Sequence, residues 1–495
     1  MTFSLLTQPW LPLLTTEDRP HQGSLHEALL EPGRWAGLDA VHPLQCLALY
    51  RLLLAICHRA IGPGTTDDRA ELIDTWPVER IEAYLTKWAD RFELFGGDRP
   101  FMQHPGITEA ALSPRPLTVL APDRSSGNTR TLWDRSLDDS PVPMAPADQA
   151  LLLVVHQQFT PGGLVRAIRT SATRAAANGL EVVMPVGASL QQTMALNLLP
   201  QTAAEHQLDL PCWERPLVGV KELGGKPERV PAGPADRYTF PVRAVLLQST
   251  TQMLYAPGEI IGASPVVDPM SAVVQAKTGP IPLFLREGRA LWRDAAALLG
   301  GAGSAPPAVL QHAAEIQMAA GDYEPVELLA GGLLTDQARM ILWRLEQRHL
   351  APALVGNAEA QAVVEALLEQ AKTTSKALFG ATSSLCRHWL DQGSEAGADP
   401  QAVSGLRDSL QADALFWGAL ETEFWGVMHA LGGGADGAAV LEAWRSTLRL
   451  TVRTVWDHCC RQIGDDGRGL RARGLAGFAF GKVMAGLADP ELALA

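Results

Sequence analysis

A glycine-bearing loop followed by two arginines is the segment of this 495-residue sequence best suited to binding chemistry. The sequence Thr-Pro-Gly-Gly at 160–163 fits only a tight loop, and a glycine leaves room for another backbone to come close. Arg166 and Arg169 follow directly. This combination suits contact with a phosphate backbone. The alternative is a surface loop with solvated arginines, which is the more common situation for loops of this composition.

Two further polar side chains stand where the chain is expected to change direction. Lys277 lies in the sequence Gln-Ala-Lys-Thr-Gly, which predicts a turn with the lysine at its tip. The Gly-Gly pair that opens the segment 331–339 leads, we expect, into a helix whose start Thr335 or Asp336 would cap. Gln337 would then point outward from the first turn of a rigid helix. Read alone, both are ordinary surface side chains.

The sequence shows no catalytic constellation. Neither the Gly-x-x-x-x-Gly-Lys-Ser/Thr motif nor the Gly-x-Ser-x-Gly motif is present. The histidines do not cluster: His42, His58 and His156 lie in or beside apolar helices, where we expect core or rim positions. Asp138 and Asp139 are two adjacent loop acids, which is weak evidence for a metal. No catalytic residue, metal or cofactor is therefore expected.

Composition indicates a globular cytoplasmic protein. The net charge of −13 and the pI of about 5.4 argue against a protein that coats nucleic acid by bulk charge. They still allow local basic strips and suit a subunit with more basic partners. The six cysteines include no Cys-x-x-Cys pair, which predicts buried thiols rather than a zinc site. The first 14 residues do not resemble a signal peptide, and Arg51 and His58 mark the apolar run 44–61 as a core helix rather than a membrane span.

Helices and strands must position these loops. A helix is predicted to begin at Pro146, whose fixed φ suits a first helical position, and to end before the loop at 160–163. A rigid helix would thus hold the glycine loop at one end and the polar segment 128–140 at the other. Further helices are predicted near 43–61, 78–90, 189–199, 289–299 and 308–319, and strands near 180–186 and 240–248.

From about residue 357 the pattern is almost wholly helical. Helices are predicted near 358–379, 380–392, 403–431, 437–463 and 470–488. Within the fourth of these, the apolar residues Leu441, Trp444, Leu448, Val455 and Cys459 make a core stripe, which indicates a helical bundle. The chain therefore divides into a mixed domain at 1–356 and a helical domain at 357–495.

Several short segments, in this order, resemble one known family. They are Ser-Leu-Leu-Thr-Gln-Pro-Trp-Leu-Pro at 4–12, the segment 92–103 ending in Arg-Pro-Phe-Met-Gln, and Thr-Leu-Trp-Asp at 131–134 ahead of the Pro-Gly-Gly loop. Together with Thr-Asp-Gln-Ala at 335–338 and the terminal helices, they resemble the CasA family, the large subunit of the type I-E CRISPR Cascade complex. The resemblance covers nearly the whole chain.

The resemblance implies a fold of the α+β class, with a large mixed α/β N-terminal domain and a C-terminal four-helix bundle. It also implies a non-catalytic subunit that recognises the protospacer-adjacent motif (PAM) of double-stranded DNA through the minor groove. Such a subunit initiates unwinding for R-loop formation and serves as the docking platform for a helicase-nuclease recruited in trans. The implied partners are the backbone, small and handle-binding Cascade subunits, the guide RNA and the target DNA, with no membrane.

The resemblance also assigns roles to residues. Gly162 and Gly163 would form the glycine loop that approaches the motif, and the Lys277 ammonium would donate to the A N3 and T O2 acceptors of the minor groove. Gln337 would be a wedge that unstacks the first target pair. Asn128 and Trp133 would meet the guide-RNA handle, where an aromatic ring can stack on an unpaired base.

A set of basic side chains would hold the DNA backbone. Its members are Arg166, Arg169, Lys372, Lys376, Arg445, Arg449 and Arg453. Such contacts would make binding salt-sensitive. The alternative for the last three is a solvated helix face, with Glu442 and Asp457 near enough in sequence to pair with it.

Two other functions stay open at this level. A helical scaffold that binds only proteins would show no motif-dependent DNA binding and no effect of Gln337→Ala. A nucleotide-using enzyme built around one of the glycine loops would bind nucleotide by itself. The missing phosphate-loop lysine argues against that enzyme.

Overall fold

The computed structural model describes residues 2–121, 124, 134, 140–263, 267–301, 303–336, 339–391 and 397–488. Contacts divide the chain into two compact units. The first comprises Met1–Glu287 and Gly303–Val355, and the second comprises Gly288–Ala302 and Gly356–Ala495. The first unit mixes helices with strands and the second is helical, so the predicted α+β class is confirmed.

The elements are numbered in chain order within the described residues. The helices are α1 (Leu25–Leu30), α2 (Pro43–Ile61), α3 (Thr66–Ala70), α4 (Val78–Lys87), α5 (Pro146–Phe159), α6 (Leu190–Asn197), α7 (Ala203–Leu208), α8 (Val220–Gly224), α9 (Pro234–Tyr238), α10 (Ala295–Leu299), α11 (Ala308–Ala319), α12 (Ala358–Leu390), α13 (Pro400–Ser409), α14 (Ala412–Gly432), α15 (Gly437–Ile463) and α16 (Gly467–Ala488). The strands are β1 (Leu11–Thr15), β2 (Pro20–Gly23), β3 (Trp35–Leu38), β4 (Arg115–Pro116), β5 (Gly163–Leu164), β6 (Ser171–Ala172), β7 (Val182–Val186), β8 (Glu228–Arg229), β9 (Arg243–Leu247), β10 (Gln252–Pro257), β11 (Ile260–Ile261), β12 (Val273–Ala276), β13 (Gly279–Pro282), β14 (Val326–Asp336) and β15 (Arg339–Leu350).

Helix α2 lies in the core of the first unit. It begins at Pro43 after His42, whose side chain caps the backbone N–H of Leu44, and it ends at Gly62, where φ is +84°. Among the described helices it is the one long and apolar enough to cross a membrane, but 83% of its most apolar stretch is buried inside the protein. It is therefore a core helix, as its sequence predicts.

Three small antiparallel arrangements position the predicted site loops. Strands β5 and β6 pair directly after α5, and β12 and β13 form a second hairpin. Strands β15, β14 and β7 form a sheet in that order. Strands β14 and β15 form a long antiparallel hairpin, and their last paired residues are Asp336 and Arg339.

The helix predicted to follow Asp336 is wrong. The segment 339–350 is strand β15, and most of its side chains alternate in exposure, as expected for a strand with one covered face. The glycine pair belongs to the interior of β14 rather than to a helix start. A Cβ on Gly331 would collide with the carbonyl oxygen of Arg344, and one on Gly332 would collide with that of Leu180. The glycines therefore serve close backbone packing.

The second unit is a bundle of the long helices α12, α14, α15 and α16, with the short α13 beside α12. The predicted break near residue 379 is wrong, because α12 continues through the exposed Gly380; one glycine inside a helix costs about 1 kcal/mol, which a 33-residue helix can absorb. Trp444 is fully buried in α15 and donates its indole N–H to the Leu367 carbonyl of α12 at 3.0 Å. The predicted core stripe of α15 is buried from Trp444 onward.

The segment 288–302 groups with the helical unit, although it precedes residue 303 of the first unit in sequence. Trp292 is 1% exposed, and its ring lies 5.0 Å from that of Phe424 and 5.5 Å from that of Trp417. Aromatic burial of this kind outweighs proximity along the chain. The predicted single domain boundary near residue 356 therefore misses the segment 288–302, which belongs to the helical unit.

We expect the first unit to lose stability as the pH falls from 7 to 5. Burial lowers the pKa values of His58 and His156 to about 3 and that of His312 to about 4. In the unfolded chain a histidine has a pKa near ~6.5, so below that pH the unfolded state binds protons that the native state does not. Three such sites give a slope of up to about 4 kcal/mol per pH unit.

Chemical denaturation at pH 7, 6 and 5 measures this slope. His312→Gln should reduce the slope by about a third, because one of the three sites is removed. The matched control is His429→Gln, at an exposed position of α14, which should leave the slope unchanged. An unfolding free energy that stays constant between pH 7 and 5 would contradict the expectation.

Candidate nucleic-acid interface

The glycine loop joins the end of α5 to the β5–β6 hairpin. A Cβ on Gly162 would lie 3.0 Å from the backbone nitrogen of Arg174 and 3.3 Å from the Ala172 carbonyl oxygen. A larger residue would therefore press on the backbone at the end of β6. Gly162 therefore lets the loop backbone pack closely against the backbone of residues 172–174 of the same chain. Gly163 then begins β5, opposite Ala172.

Arg243, in β9, holds this loop by hydrogen bonds to its backbone carbonyls. Its guanidinium donates to the Pro161 carbonyl at 2.6 Å and to the Thr173 carbonyl at 2.7 Å, which lie on the two sides of the hairpin. Its Nε donates to the Tyr255 hydroxyl at 2.9 Å. The side chain is buried, and an arginine fork can bridge two carbonyls in a way that a single ammonium cannot. Arg243 thus fixes the conformation of the loop.

The two loop arginines differ in availability. Arg166 is exposed at the turn of the hairpin, with φ at +53°. Arg169 is 8% exposed and donates to the carbonyls of Ser171, Leu223 and Gly258 at 3.0, 2.7 and 2.8 Å. Its donors are committed to the protein, so the structure does not support the predicted phosphate contact of Arg169. Burial lowers the pKa of its guanidinium, as does the neighbouring charge of Arg243.

Lys277 lies at the tip of the β12–β13 hairpin. Ala276 pairs with Gly279, so Lys277 and Thr278 form a two-residue turn, and Gly279 has a φ of +116°. Both turn residues are exposed. The predicted turn with a lysine at its tip is therefore confirmed as local structure.

The other predicted contact residues with DNA bases or guide RNA are not described. Gln337 follows β14 in sequence and lies outside the described residues, as do Asn128 and Trp133. The last described residue before Gln337 is Asp336, and Thr335 in the same strand donates its hydroxyl to the Asn178 side chain at 3.1 Å.

One segment, 175–181, anchors all three loops. Its Ala175 N–H donates to the Thr160 carbonyl at the base of the glycine loop. Its Gly179 N–H donates to the Leu333 carbonyl of the β14–β15 hairpin. On its other side, the Glu181 N–H donates to the Leu283 carbonyl, just beyond the β12–β13 hairpin. Loops that are distant in sequence are therefore held on one backbone segment.

The glycine loop and the β14–β15 hairpin line a common cleft. Gly162 and Gly163 line it together with Leu333, Thr335 and Met340. The cleft has a volume of about 280 Å³. The predicted loop residues and the stem that leads to Gln337 are therefore neighbours in space.

The charge of this cleft is opposite to that of the chain. Arg115, Arg124 and Arg243 line it, and no aspartate or glutamate is among its described lining residues. Arg115 also donates to the Val165 carbonyl at 2.8 Å, which supports the strand after the glycines. On a chain with a net charge of −13, such a local excess of positive charge favours an anionic ligand.

Comparison with known proteins identifies the family. The model of the family "CRISPR-associated protein Cse1" matches residues 4–455. This chain belongs to the Cse1 family. It is 31% identical to the CRISPR-associated protein CasA/Cse1 of Thermus thermophilus, over 98% of each sequence. A crystal structure of Thermus thermophilus CasA matches with a TM-score of 0.86 at 28% identity, over 98% of this chain and 99% of the other. The predicted resemblance to the CasA family is confirmed.

A solved CRISPR RNA-guided surveillance complex contains a chain of the same fold. The match has a TM-score of 0.73 at 20% identity and covers 99% of this chain and 100% of the other. At that identity the match shows the fold alone. The Cse1 fold of this chain therefore extends over both of its units.

Sequence reasoning missed part of the Cse1 cleft. Arg115, Arg124 and Arg243 carry its charge, and none was predicted. A signal existed for Arg243, because alternate residues of a strand share one face and Arg243 therefore shares its face with the apolar Val245 and Leu247. An arginine on such a face needs hydrogen-bond partners there. His156 and Tyr255 also line the cleft.

His156 and Tyr255 extend the hydrogen-bond network of Arg243 next to the loop. The Tyr255 hydroxyl accepts from Arg243, so its own proton is free to point at His156 Nε2, which lies 2.9 Å away. Burial lowers the pKa of His156 to about 3, and the charge of Arg243 adds to this effect. His156 is therefore neutral at physiological pH and serves as an acceptor rather than a phosphate ligand.

The basic residues of the helical unit are partly engaged. Arg445 pairs with Glu442 at 3.0 Å, and Arg449 donates twice to the Leu487 carbonyl, at 2.9 and 2.7 Å. The Arg445 pair agrees with the alternative of a solvated helix face that pairs with Glu442, whereas Arg449 is bonded to the protein backbone. Lys372 pairs with Glu369 at 3.1 Å, with both side chains largely exposed. Lys376 and Arg453 are also exposed.

Proposed function

We propose that this chain is the non-catalytic large subunit of a type I-E-like CRISPR surveillance complex and recognises the PAM of double-stranded DNA through the minor groove. The observation that carries the proposal is the cleft in which the glycine loop meets the stem of the hairpin that leads to Gln337. Arg124 is exposed at this cleft and suits phosphate, which every DNA sequence offers, whereas the loops supply the contacts that distinguish one motif from another.

Each loop has a separate role in this proposal. Gly162 and Gly163 approach the motif, and the exposed Lys277 ammonium donates to acceptors on the groove floor. Gln337 enters the stack below the motif and starts the unwinding that R-loop formation requires; opening one step costs a few kcal/mol. A rigid base is needed for that work, and the β14–β15 hairpin supplies one although the predicted helix is absent.

The exposed basic residues hold the DNA backbone. We retain Arg166, Lys376 and Arg453 for this role, with Lys372 as an exposed side chain that can exchange its partner. Arg169 and Arg449 are left out, because their guanidinium groups donate to backbone carbonyls of the protein. Arg445 is left out because it is only partly exposed and pairs with Glu442. Neutralised phosphates release counterions, so affinity will fall as salt rises.

Membership of the Cse1 family supports the remaining partners of the proposal. We propose that Asn128 and Trp133 contact the guide-RNA handle, where base stacking on an aromatic ring is favourable. The other Cascade subunits hold the chain in the complex, and a helicase-nuclease docks on it in trans. In this proposal the protein acts in the cytoplasm and contributes no catalytic residue of its own.

Binding of target duplexes by the assembled guide-RNA complex tests the proposal. Duplexes carrying every variant of the base pairs beside the target are compared at one salt concentration, with and without this chain. Gln337→Ala and Lys277→Ala should each lower affinity for the best motif about tenfold, the effect of losing one good groove contact. Binding to duplexes without the motif should change little.

Matched controls separate these contacts from general surface effects. Gln347→Ala changes an exposed glutamine near the other end of β15, and Lys87→Ala changes an exposed lysine of α4. Both should bind like the unaltered chain. If the chain joins the complex yet affinity is the same for every motif, the protein acts as a scaffold and the proposal fails.

A further inference from the structure

Asn178 connects two of the proposed DNA-contacting elements through a single side chain. Its Nδ2 donates to the carbonyl of Phe159, the last residue of α5, at 2.8 Å. Its Oδ1 accepts from the hydroxyl of Thr335 in β14 at 3.1 Å. Phe159 immediately precedes the glycine loop, and Thr335 stands two residues before Gln337. The Asn178 amide therefore links the start of the glycine loop to the end of strand β14.

An amide satisfies both partners at this position. A main-chain carbonyl can only accept, and the Thr335 hydroxyl donates its proton to the side that faces it. Asparagine offers a donor and an acceptor on one short, planar group. Asn178 is 3% exposed, so a side chain that left either partner unpaired would incur the cost of a buried polar group.

The backbone contacts on either side of Asn178 explain why its position is well defined. The Ala177 N–H donates to the Gln158 carbonyl at 3.1 Å, and the Gly179 N–H donates to the Leu333 carbonyl at 3.0 Å. Asn178 thus lies between one bond to α5 and one bond to the hairpin. The Thr335 bond extends this link two residues further along β14, towards its end at Asp336.

We propose that Asn178 is a positioning residue that fixes the separation between the glycine loop and the hairpin carrying Gln337, and so sets how strongly DNA binding depends on the motif. This inference rests on the proposed function. Motif recognition needs the loop in the groove and the glutamine at the adjacent pair at the same time. If the separation varies, either contact can form without the other. Phosphate contacts do not depend on that separation.

Substitution of Thr335 tests the link without touching the buried asparagine. Thr335→Val keeps the shape but removes the hydroxyl, whereas Thr335→Ser keeps the hydroxyl. Complexes with guide RNA are assembled with each variant, and affinity is measured for the best-motif duplex and for a duplex with that motif scrambled. Thr335→Val should reduce the ratio of the two affinities about fivefold, the effect of one ordinary hydrogen bond. Thr335→Ser should restore the ratio.

Two results would overturn the inference. One is an unchanged ratio in Thr335→Val; the other is equal loss in the valine and serine variants, which would indicate packing rather than the hydrogen bond. If the unaltered chain itself shows no motif dependence, the proposed function fails instead.

Hydrogen exchange of the chain alone then still tests the link. Thr335→Val should speed exchange both at 160–165 and at 333–336. Faster exchange confined to 333–336 would show that the two elements are not coupled.

Discussion

Asp268→Asn is expected to destabilise the first unit by about 3–5 kcal/mol, because it leaves a buried guanidinium without its counter-charge. The carboxylate of Asp268 accepts two hydrogen bonds from Arg51 of α2, at 2.9 and 2.8 Å. The two side chains are 0% and 1% exposed, with Arg51 the lower. Burial opposes ionisation of Asp268, but the charge and hydrogen bonds of Arg51 outweigh it and lower the carboxyl pKa. Urea denaturation at pH 7 measures the loss.

This ion pair also connects the core with the proposed site. Asp268 accepts from the Met270 N–H at 3.1 Å, and the Met270 carbonyl accepts from the Val183 N–H of β7 at 2.6 Å. The chain then continues into the β12–β13 hairpin. Asp268→Asn should therefore loosen the base of the Lys277 turn as well as the core.

Two controls distinguish the charge effect from packing. The double variant Arg51→Met/Asp268→Leu should be less destabilised than the sum of the single changes, because no unpaired charge is left. Glu31→Gln removes a surface partner of Arg34, with both side chains more than half exposed, and should cost about 0–1 kcal/mol. Additive single changes would contradict the interpretation.

Arg243→Met is expected to abolish most motif dependence of DNA binding while the chain stays folded. It leaves the half-buried carbonyls of Pro161 and Thr173 without their donor, and each lost hydrogen bond to a charged group is worth about 1.5–3 kcal/mol. The glycine loop can relieve this cost by moving out toward solvent, away from its position in the cleft. We expect roughly a tenfold or larger fall in the affinity for the best motif, measured by the duplex comparison described above.

Neighbouring substitutions show which property of Arg243 matters. Arg243→Lys keeps the charge but not the planar fork, so it should recover only part of the motif dependence. Tyr255→Phe removes one partner of Arg243 and leaves both loop carbonyls bonded, so its effect should be small. If lysine restores full discrimination, the charge of the cleft and not the loop geometry is decisive.

The sequence alone predicted those features that depend on local patterns. Proline at a first helical position and an apolar run placed α2 and α5 correctly, because capping and burial of one helix are properties of consecutive residues. The Lys277 turn was predicted for the same reason, and short motifs in a fixed order indicated the family.

Only the tertiary structure decided which residues work together. The segment 331–350 forms a hairpin strand pair because its glycines allow close backbone packing, Gly331 against Arg344 of the opposite strand and Gly332 against Leu180, and because β14 also pairs with β7. Arg166 and Arg169 look alike in sequence, yet one is exposed and the other is buried, with its donors bonded to carbonyls of residues 223 and 258. Asn178 gave no functional signal, and the strand pattern around Arg243 did not reveal which loop it holds. The loop carbonyls that Arg243 bonds and the two partners of Asn178 lie between 19 and 157 residues away in the sequence. Long-range hydrogen bonds depend on the completed fold, and no local pattern encodes them.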